Sequence, residues 1–474
     1  MYRSEFGVRP ALMTDMYHPD SAYVSWRSGK NGMTTFDVYA RQAPFGGAFL
    51  LVAGLEMALD FVREFRYTDE DLGFLAQIRD YDAGFIDVLR DLRFTGEILA
   101  MPEGSIAFPH EPIMRVTAPF REAILMESGL LQAVNFATLV ATKAARIAWA
   151  ARGRPVAEFA LRRAHEPFAV SRSSRIGGCS STSFLGAAER YRLLATGTVP
   201  HALIQIFDDE ANAFEAVAST FNRYTLLLDT YDPRRAIHLA VDVARRCRDR
   251  LGHVLAGVRL DSGDLLEDSK YVRKVLDDAG LTEVRVLASG DLDEFQIVDL
   301  LDAGAPVDVF GVGTSIGIAA GSAERGVSGG SLGGVFKAVQ YVDERGVSFP
   351  KVKVAGEKST WPGVKEVWRL GQFREDLIQL ADEPRPGSDA VRLLKPVVVN
   401  GSIVAGSAPP LSEIWELAQL NLRQLPPEFR ELSPSRPYPV RFSQRLIELR
   451  DSLTAAQLRS DAAKTDASAG TSAW

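Results

Sequence analysis

From about Pro155 onward, short runs of β-branched and leucine residues end at polar or glycine positions, and amphipathic stretches follow them. That alternation predicts repeated βα units. The runs are VAEFAL, RIGG, GTVPHALI, YTLLLD, LAGVRLD, VRVLAS, VDVFGVG and GVFKAVQYV. Between them, PRRAIHLAVDVARRCRDRLG spaces its apolar positions by three and four and offers Gly252 as a C-cap, while DLDEFQIVDLLDAGA opens with the carboxylates a helix N-terminus favours. Eight such runs predict an α/β fold with an irregular α/β barrel over residues 127–345. An open doubly wound sheet is the alternative architecture.

The flanking sequence has another rhythm. TTFDVYARQAPFGGAFLLVAGLEMALDFV reads as a strand, a turn and a helix, and FTGEILAMPEGSIAFPHEPIMRVTAP as a small antiparallel meander. After the barrel, FPKVKVAGEKSTWPGVKEVWRL and AVRLLKPVVVNGSIV return to strand and turn patterns, with VNGS as a hairpin turn. The chain is therefore expected to build an α+β sandwich domain from N-terminal and C-terminal segments, 1–126 plus 346–430. Residues 431–474 are expected to form a helical segment ending in a disordered small-residue tail, DAAKTDASAGTSAW.

Composition narrows the function classes. A 474-residue chain with 46% hydrophobic and 24% charged residues is expected to be soluble and to form about two domains. A net charge of -7 argues against nucleic acid as a partner, yet leaves room for a small anion in a local basic pocket. Cys179 and Cys247 form neither a zinc cluster nor a disulfide framework, which fits a reducing cytoplasm. No apolar run reaches the roughly 18–20 residues of a membrane span, and the N-terminus lacks a signal-peptide core, so no membrane partner and a cytoplasmic location are expected.

Barrel enzymes place their chemistry in the loops after the strands. The suspects are thus His201, Asp229, Asp261, Ser289 with Gly290, and Gly313 with Thr314. VFGVGTSIG offers an anion the backbone N–H groups around Gly311 and Gly313 and the Thr314 hydroxyl, although Gly-x-Gly after a strand is also an ordinary tight turn. Ser289 and Gly290 are placed to complete that cradle. In GVRLDSGDL, Arg259 and Asp261 share a strand face, as a ligand grip or a structural ion pair. In EFALRRAH, Arg162 and Arg163 face opposite ways, and Arg162 is the choice for the site. His201 sits in LATGTVPHALIQIFDDE, whose Asp208, Asp209 and Glu210 read as a solvated helix start.

In chain order, TDMY, ARQAPFGG, EFALRRA, GTVPHALI, LLLDTYD, GVRLDSGDL, SGDLDE, FGVGT, GGVFKAVQ and WPGVKEVWR resemble the nicotinate phosphoribosyltransferase family over roughly residues 11–369, and YPVRFSQRL extends the match. The resemblance implies a type II phosphoribosyltransferase, a homodimer with shared active sites. It would join nicotinate to 5-phosphoribosyl 1-pyrophosphate in NAD salvage, with Mg²⁺ and with ATP as co-substrate. On that reading Tyr17 stacks on the pyridine from the other subunit. Arg162 and Arg259 meet the nicotinate carboxylate and neighbouring oxygens, and Thr198 lines the base pocket. Gly290, Gly313 and Thr314 hold the 5′-phosphate, and ATP phosphorylates His201. Asp261, or secondarily Asp264, binds ribose hydroxyls or the Mg²⁺ that pyrophosphate carries, with no direct protein metal cluster. Asp229 either orients His201 or caps a helix. Lys143 and Arg146 in TKAARIA either reach pyrophosphate or form a solvated face.

Two departures bear on these roles. Pro200 and Ala202 flank His201 where the commoner form is GTxAHS, so the adjacent serine hydroxyl is missing. Ser183 stands in CSSTSF where nicotinamide-using relatives carry an aspartate, which favours nicotinate as the base. A sugar-phosphate lyase or isomerase would instead want a lysine at a central strand end, and Lys337 lies only on the last run.

Overall fold

Backbone packing divides the chain into two units, Met1–Thr138 with Ser331–Trp474, and Leu139–Gly330. The computed structural model describes residues 9–354 and 359–469, with side chains through residue 459.

The inserted unit is built on six parallel strands, ordered Ser181–Thr182, Val156–Glu158, Val309–Val312, Arg285–Ala288, Val254–Leu260 and Arg223–Leu227. Parallel strands are covered on both faces, so their apolar runs are nearly continuous. Leu226, Leu228, Val258, Leu260 and Val286 pack with Ile237, Ala240, Val243 and Ala244 of helix Pro233–Leu251 and with Val272 and Leu276. That helix starts at Pro233 behind Asp232, whose side chain accepts the Arg234 N–H, and stops at Gly252 with φ 72°. The result is an irregular half-barrel.

Three of the eight runs are not strands of this sheet. RIGG closes helix Pro167–Gly177, which ends in left-handed Gly178, and the two-residue strand Ser181–Thr182 takes its place. GTVPHALI turns at Pro200, which is extended and N-caps the short helix His201–Gln205; His201 is thus a first-turn helical residue, not a strand end. GVFKAVQYV, read as the last barrel strand, is strand Gly334–Val342 of the other unit, pairing antiparallel with Met33–Ala40. The pairing opportunity overrides the local pattern, which looks the same in either sheet.

The discontinuous unit is α+β. Its larger sheet runs in the order Ser348–Pro350, Gly334–Val342, Met33–Ala40, Met114–Pro119, Glu97–Ala100, Lys395–Val399 and Ser402–Ile403. VNGS makes the last hairpin, with Asn400 at φ 48° and Gly401 at φ 72°. A four-stranded sheet orders Val391–Arg392, Lys365–Leu370, Glu375–Leu380 and Val440–Phe442. The segment 431–474 falls within this unit. Helix Gln444–Ala469 continues through most of the tail expected to be disordered, and residues 470–474 lie outside the described residues, as do 355–358 of the VKVAGEKS stretch.

Candidate functional site

Strand Val254–Leu260 buries Val258 and Leu260, and period-two alternation turns Arg259 to the opposite side. All three nitrogens of its guanidinium are held. Nε donates to Ser289 Oγ at 2.8 Å, Nη1 to Thr198 Oγ1 at 3.0 Å and Nη2 to Asp261 Oδ1 at 2.5 Å. The Phe159 ring lies 5.8 Å from the guanidinium carbon. Ser289 Oγ also donates to Asp261 Oδ1 at 2.6 Å, so one buried hydroxyl bridges cation and anion. Burial works to raise the Asp261 carboxyl, but the Ser289 hydrogen bond and the Arg259 guanidinium outweigh it and hold the group below its ordinary value. Asp261 is an anion at neutral pH.

His201 faces the same carboxylate. Its Nε2 lies 3.8 Å from Asp261 Oδ2, and its Nδ1 is 3.1 Å from Thr230 Oγ1. Asp229 neither orients this ring nor caps a helix: its Oδ2 accepts the Asp261 N–H at 3.0 Å and the Ser262 hydroxyl at 2.5 Å. The expected carboxylate partner of His201 is therefore replaced by Thr230, one residue on, because Asp229 is turned into the loop after strand Val254–Leu260. Asp264 caps helix Leu265–Asp278 through the Glu267 N–H. Asp229 Oδ1 is buried without a hydrogen-bond partner among the described residues. That oxygen and Asp261 Oδ2 are hard donors of the kind magnesium takes alongside substrate phosphates, although no group of three or more metal-ligating residues occurs among the described residues.

The glycines divide into two kinds. Gly290 has φ 99°, and a Cβ there would lie 1.9 Å from the Asp261 carbonyl oxygen, so the loop closes against the site only without a side chain. Gly311 lies inside strand Val309–Val312, and the space its side chain would take is filled by the Phe159 ring and Ser289; it packs rather than cradles. Gly313 is the N-cap of the short helix Thr314–Gly317, and Thr314 Oγ1 donates to Asp291 Oδ1 at 3.3 Å. Asp291 itself has φ 47°, a conformation unusual for a side chain and concentrated at working loops.

Arg162 and Arg163 lie in the turn after strand Val156–Glu158, so the alternation argued for them does not apply. Arg162 is exposed, with no hydrogen bond or ion pair among the described residues. Glu158 is buried and accepts from Ser171 Oγ at 2.7 Å and Thr182 Oγ1 at 2.6 Å. Ser183 donates its N–H to the Glu158 carbonyl at 2.9 Å. Lys143 and Arg146 are neither a solvated face nor open to a ligand: both are buried and paired with Glu294, Arg146 Nε at 2.9 Å. In the other unit, Tyr17 begins helix Tyr17–Arg27 and is 53% exposed, its ring 3.9 Å from that of His18. His18 is anchored by Thr14 Oγ1 at 3.0 Å and Glu127 Oε2 at 3.3 Å. Partial burial, with Glu127 and Asp15, pushes the Tyr17 phenol up to about 12, so it is a neutral ring in neutral solution.

Asp208 and Asp209 are exposed and Asp209 caps helix Glu210–Thr220, but Glu210 is buried rather than solvated. Burial pushes its carboxyl from 4.5 up to about 7, and Oε1 has no hydrogen-bond partner among the described residues. A folded-state value above the unfolded one means that ionisation opposes folding, so stability is lost as pH rises from 4.5 through about 7. Glu210→Gln is expected to raise the melting midpoint by about 2–4 °C at pH 8. At pH 5 it should change little; an equal shift at both pH values would show that the effect is not ionisation.

Phe159, Thr230, Ser262 and Asp291 belong to this cluster without having been singled out in the sequence. Each lies inside a motif quoted above, Phe159 in EFALRRA, Thr230 in LLLDTYD, Ser262 in GVRLDSGDL and Asp291 in SGDLDE, but was passed over for its neighbours.

Residues 12–135 match the nicotinate phosphoribosyltransferase N-terminal domain model and residues 387–450 the corresponding C-terminal domain model. Nicotinate phosphoribosyltransferase pncB2 of Mycobacterium tuberculosis is 37% identical over 444 residues, covering 92% of each chain. The Bacillus subtilis nicotinate phosphoribosyltransferase is 37% identical over 465 residues, covering 92% of this chain and 93% of its own. The crystal structure of human nicotinic acid phosphoribosyltransferase superimposes with a TM-score of 0.80 at 31% identity, covering 93% of this chain and 99% of that one.

Proposed function

The chain belongs to the nicotinate phosphoribosyltransferase family, and from that premise we propose how its residues carry out the reaction. The enzyme joins nicotinate to 5-phosphoribosyl 1-pyrophosphate in NAD salvage, giving nicotinate mononucleotide and pyrophosphate. The pyridine nitrogen forms a bond to ribose C1 as the bond to pyrophosphate breaks. Positive charge develops on the sugar and negative charge on the leaving group, so positioning and electrostatics suffice and no protein nucleophile is needed.

The observation that carries this reading is the Arg259–Ser289–Asp261 cage. It fixes a guanidinium and an ionised carboxylate side by side before substrate arrives. Arg259 serves the nicotinate carboxylate, with Thr198 beside it. Asp261 faces the cationic sugar and its hydroxyls. Exposed Arg162 supplies a second cation for substrate oxygens. The loops at Gly290 and Gly313–Thr314 hold the 5′-phosphate. Asp261 and Asp229 carry the protein oxygens that would hold magnesium, which would supply charge neutralisation for the pyrophosphate leaving group. The nicotinamide-using and sugar-phosphate alternatives are not favoured by the relatives. Tyr17 covers the pyridine from a second subunit of a homodimer, and the reaction runs in the cytoplasm. No helix among the described residues is long and apolar enough to cross a membrane.

ATP assists turnover through His201. With Nδ1–H donating to Thr230, Nε2 keeps the lone pair that attacks the γ-phosphorus as ADP leaves. The hydrogen bond to Thr230 Oγ1 fulfils this orienting role without a neighbouring serine. Incubation with γ-labelled ATP is expected to label the wild type and not His201→Ala, which retains ATP-independent basal transfer. Equal labelling of both would remove His201 from the coupling.

A further inference from the structure

The discontinuous unit contains a cleft of about 700 Å³ between the four-stranded sheet and helix Leu411–Gln424. That volume suits a small organic ligand rather than a lone ion. Its chemistry is divided. Val391, Leu393 and Leu417 supply an apolar wall, Val391 being 55% exposed. Arg392 and Lys395 supply two cations. Arg392 uses Nε and Nη2, each at 2.6 Å, on Glu366, which leaves Nη1 to donate elsewhere. Lys395 is exposed and has no ion pair among the described residues.

The remaining wall carries amides and one acid. Gln372 and Gln424 reach the cleft, and Asn421 uses Nδ2 on the Gly104 carbonyl, keeping Oδ1 as an acceptor. Asp389 is the one carboxylate lining the cleft among the described residues. The turn that forms its edge is held in a costly conformation, with Gln372 at φ 49° and Phe373 at φ 69°. Phe373 is buried beneath the Arg369 guanidinium, 4.0 Å from the ring centre, and Arg369 is held in turn by Asp376 at 2.6 Å. The strained turn is thus pinned in place, as a preorganised wall requires.

We propose that this cleft binds a nucleoside phosphate, at a site separate from the Arg259–Asp261 cage. The phosphate sits on Arg392 Nη1 and Lys395 Nζ, where a guanidinium and an ammonium provide charge-assisted donors. The base lies on Val391, Leu393 and Leu417, and the free amide groups bond its edge. Asp389 accepts from ribose hydroxyls. A bare anion would leave the apolar wall wet, and an uncharged nucleoside would leave Lys395 unmatched and Arg392 Nη1 unused.

Calorimetric titration of the whole chain with AMP tests this, with inorganic phosphate and adenosine as the two part-ligands. AMP is expected to bind at least about tenfold more tightly than either part. Lys395→Glu should weaken AMP about tenfold or more without changing the melting temperature, and Val391→Asp should weaken it too. Arg259→Ala, which disables the parallel-sheet site, should leave AMP binding intact. AMP binding no tighter than phosphate, or unchanged in Lys395→Glu, would overturn the proposal. So would AMP binding that Arg259→Ala abolishes, since the ligand would then occupy the catalytic cage.

Discussion

Replacing Arg259 by alanine is expected to lower kcat/KM for nicotinate by about 10²–10³-fold, equivalent to roughly 3–4 kcal/mol of transition-state stabilisation. Two losses combine. The cation proposed to meet the substrate carboxylate disappears, and Ser289, Thr198 and Asp261 lose the donor that holds them in one arrangement. The Asp261 carboxyl, no longer next to a guanidinium, moves back up toward its ordinary value, which shifts the acid side of the pH–rate profile to higher pH. Arg259→Lys keeps the charge but not the planar fork that serves three partners, so it should resemble alanine more than wild type. Steady-state kinetics with both substrates, alongside melting curves, provide the check. A loss below about threefold in a folded variant would show that the cage is structural.

The second large effect concerns stability. Glu294→Gln is expected to destabilise the inserted unit by about 3–5 kcal/mol, because Lys143 and Arg146 would then be buried against a neutral amide. For a unit of this size that is a fall of roughly 6–20 °C in its melting midpoint. Burial already draws the Lys143 amine below its ordinary value despite Glu294, so removing the carboxylate is expected to drive the lysine further toward its neutral form. Urea unfolding followed by a probe within Leu139–Gly330 measures the change. A difference under about 1 kcal/mol would mean that the carboxylate contributes no more than a surface pair does.

The sequence made the βα rhythm legible wherever a strand was long and apolar, as in YTLLLD, LAGVRLD, VRVLAS and VDVFGVG. It misled where local pattern and partner disagreed. Gly334–Val342 reads as one more strand, and nothing within it says that Met33–Ala40 will claim it. Ser181–Thr182 is too short to produce a pattern, yet it forms the edge of the parallel sheet. The site followed the same division. Arg259 and Asp261 could be grouped because alternation puts them on one face, whereas Ser289, read with Gly290 as part of the phosphate cradle, instead bonds both of them. The choice of Thr230 over Asp229 for His201 depends on which way one loop turns, and adjacent residues hide that. Lys143 and Arg146 illustrate the limit for charges: their helical spacing is that of an exposed stripe, and their pairing with buried Glu294 on another helix is invisible in the local sequence.

Strand Met33–Ala40 lies at the heart of the larger sheet, between Met114–Pro119 and Gly334–Val342, and Met33 pairs with Val342. During synthesis one edge of this strand has a partner early, while the other waits for about 300 further residues, roughly 15–60 s at cellular translation rates. Throughout that interval the nascent chain presents an open, aggregation-prone strand edge. Destabilising Met33–Ala40 is therefore expected to lower soluble yield from the ribosome more than its effect on the finished enzyme suggests.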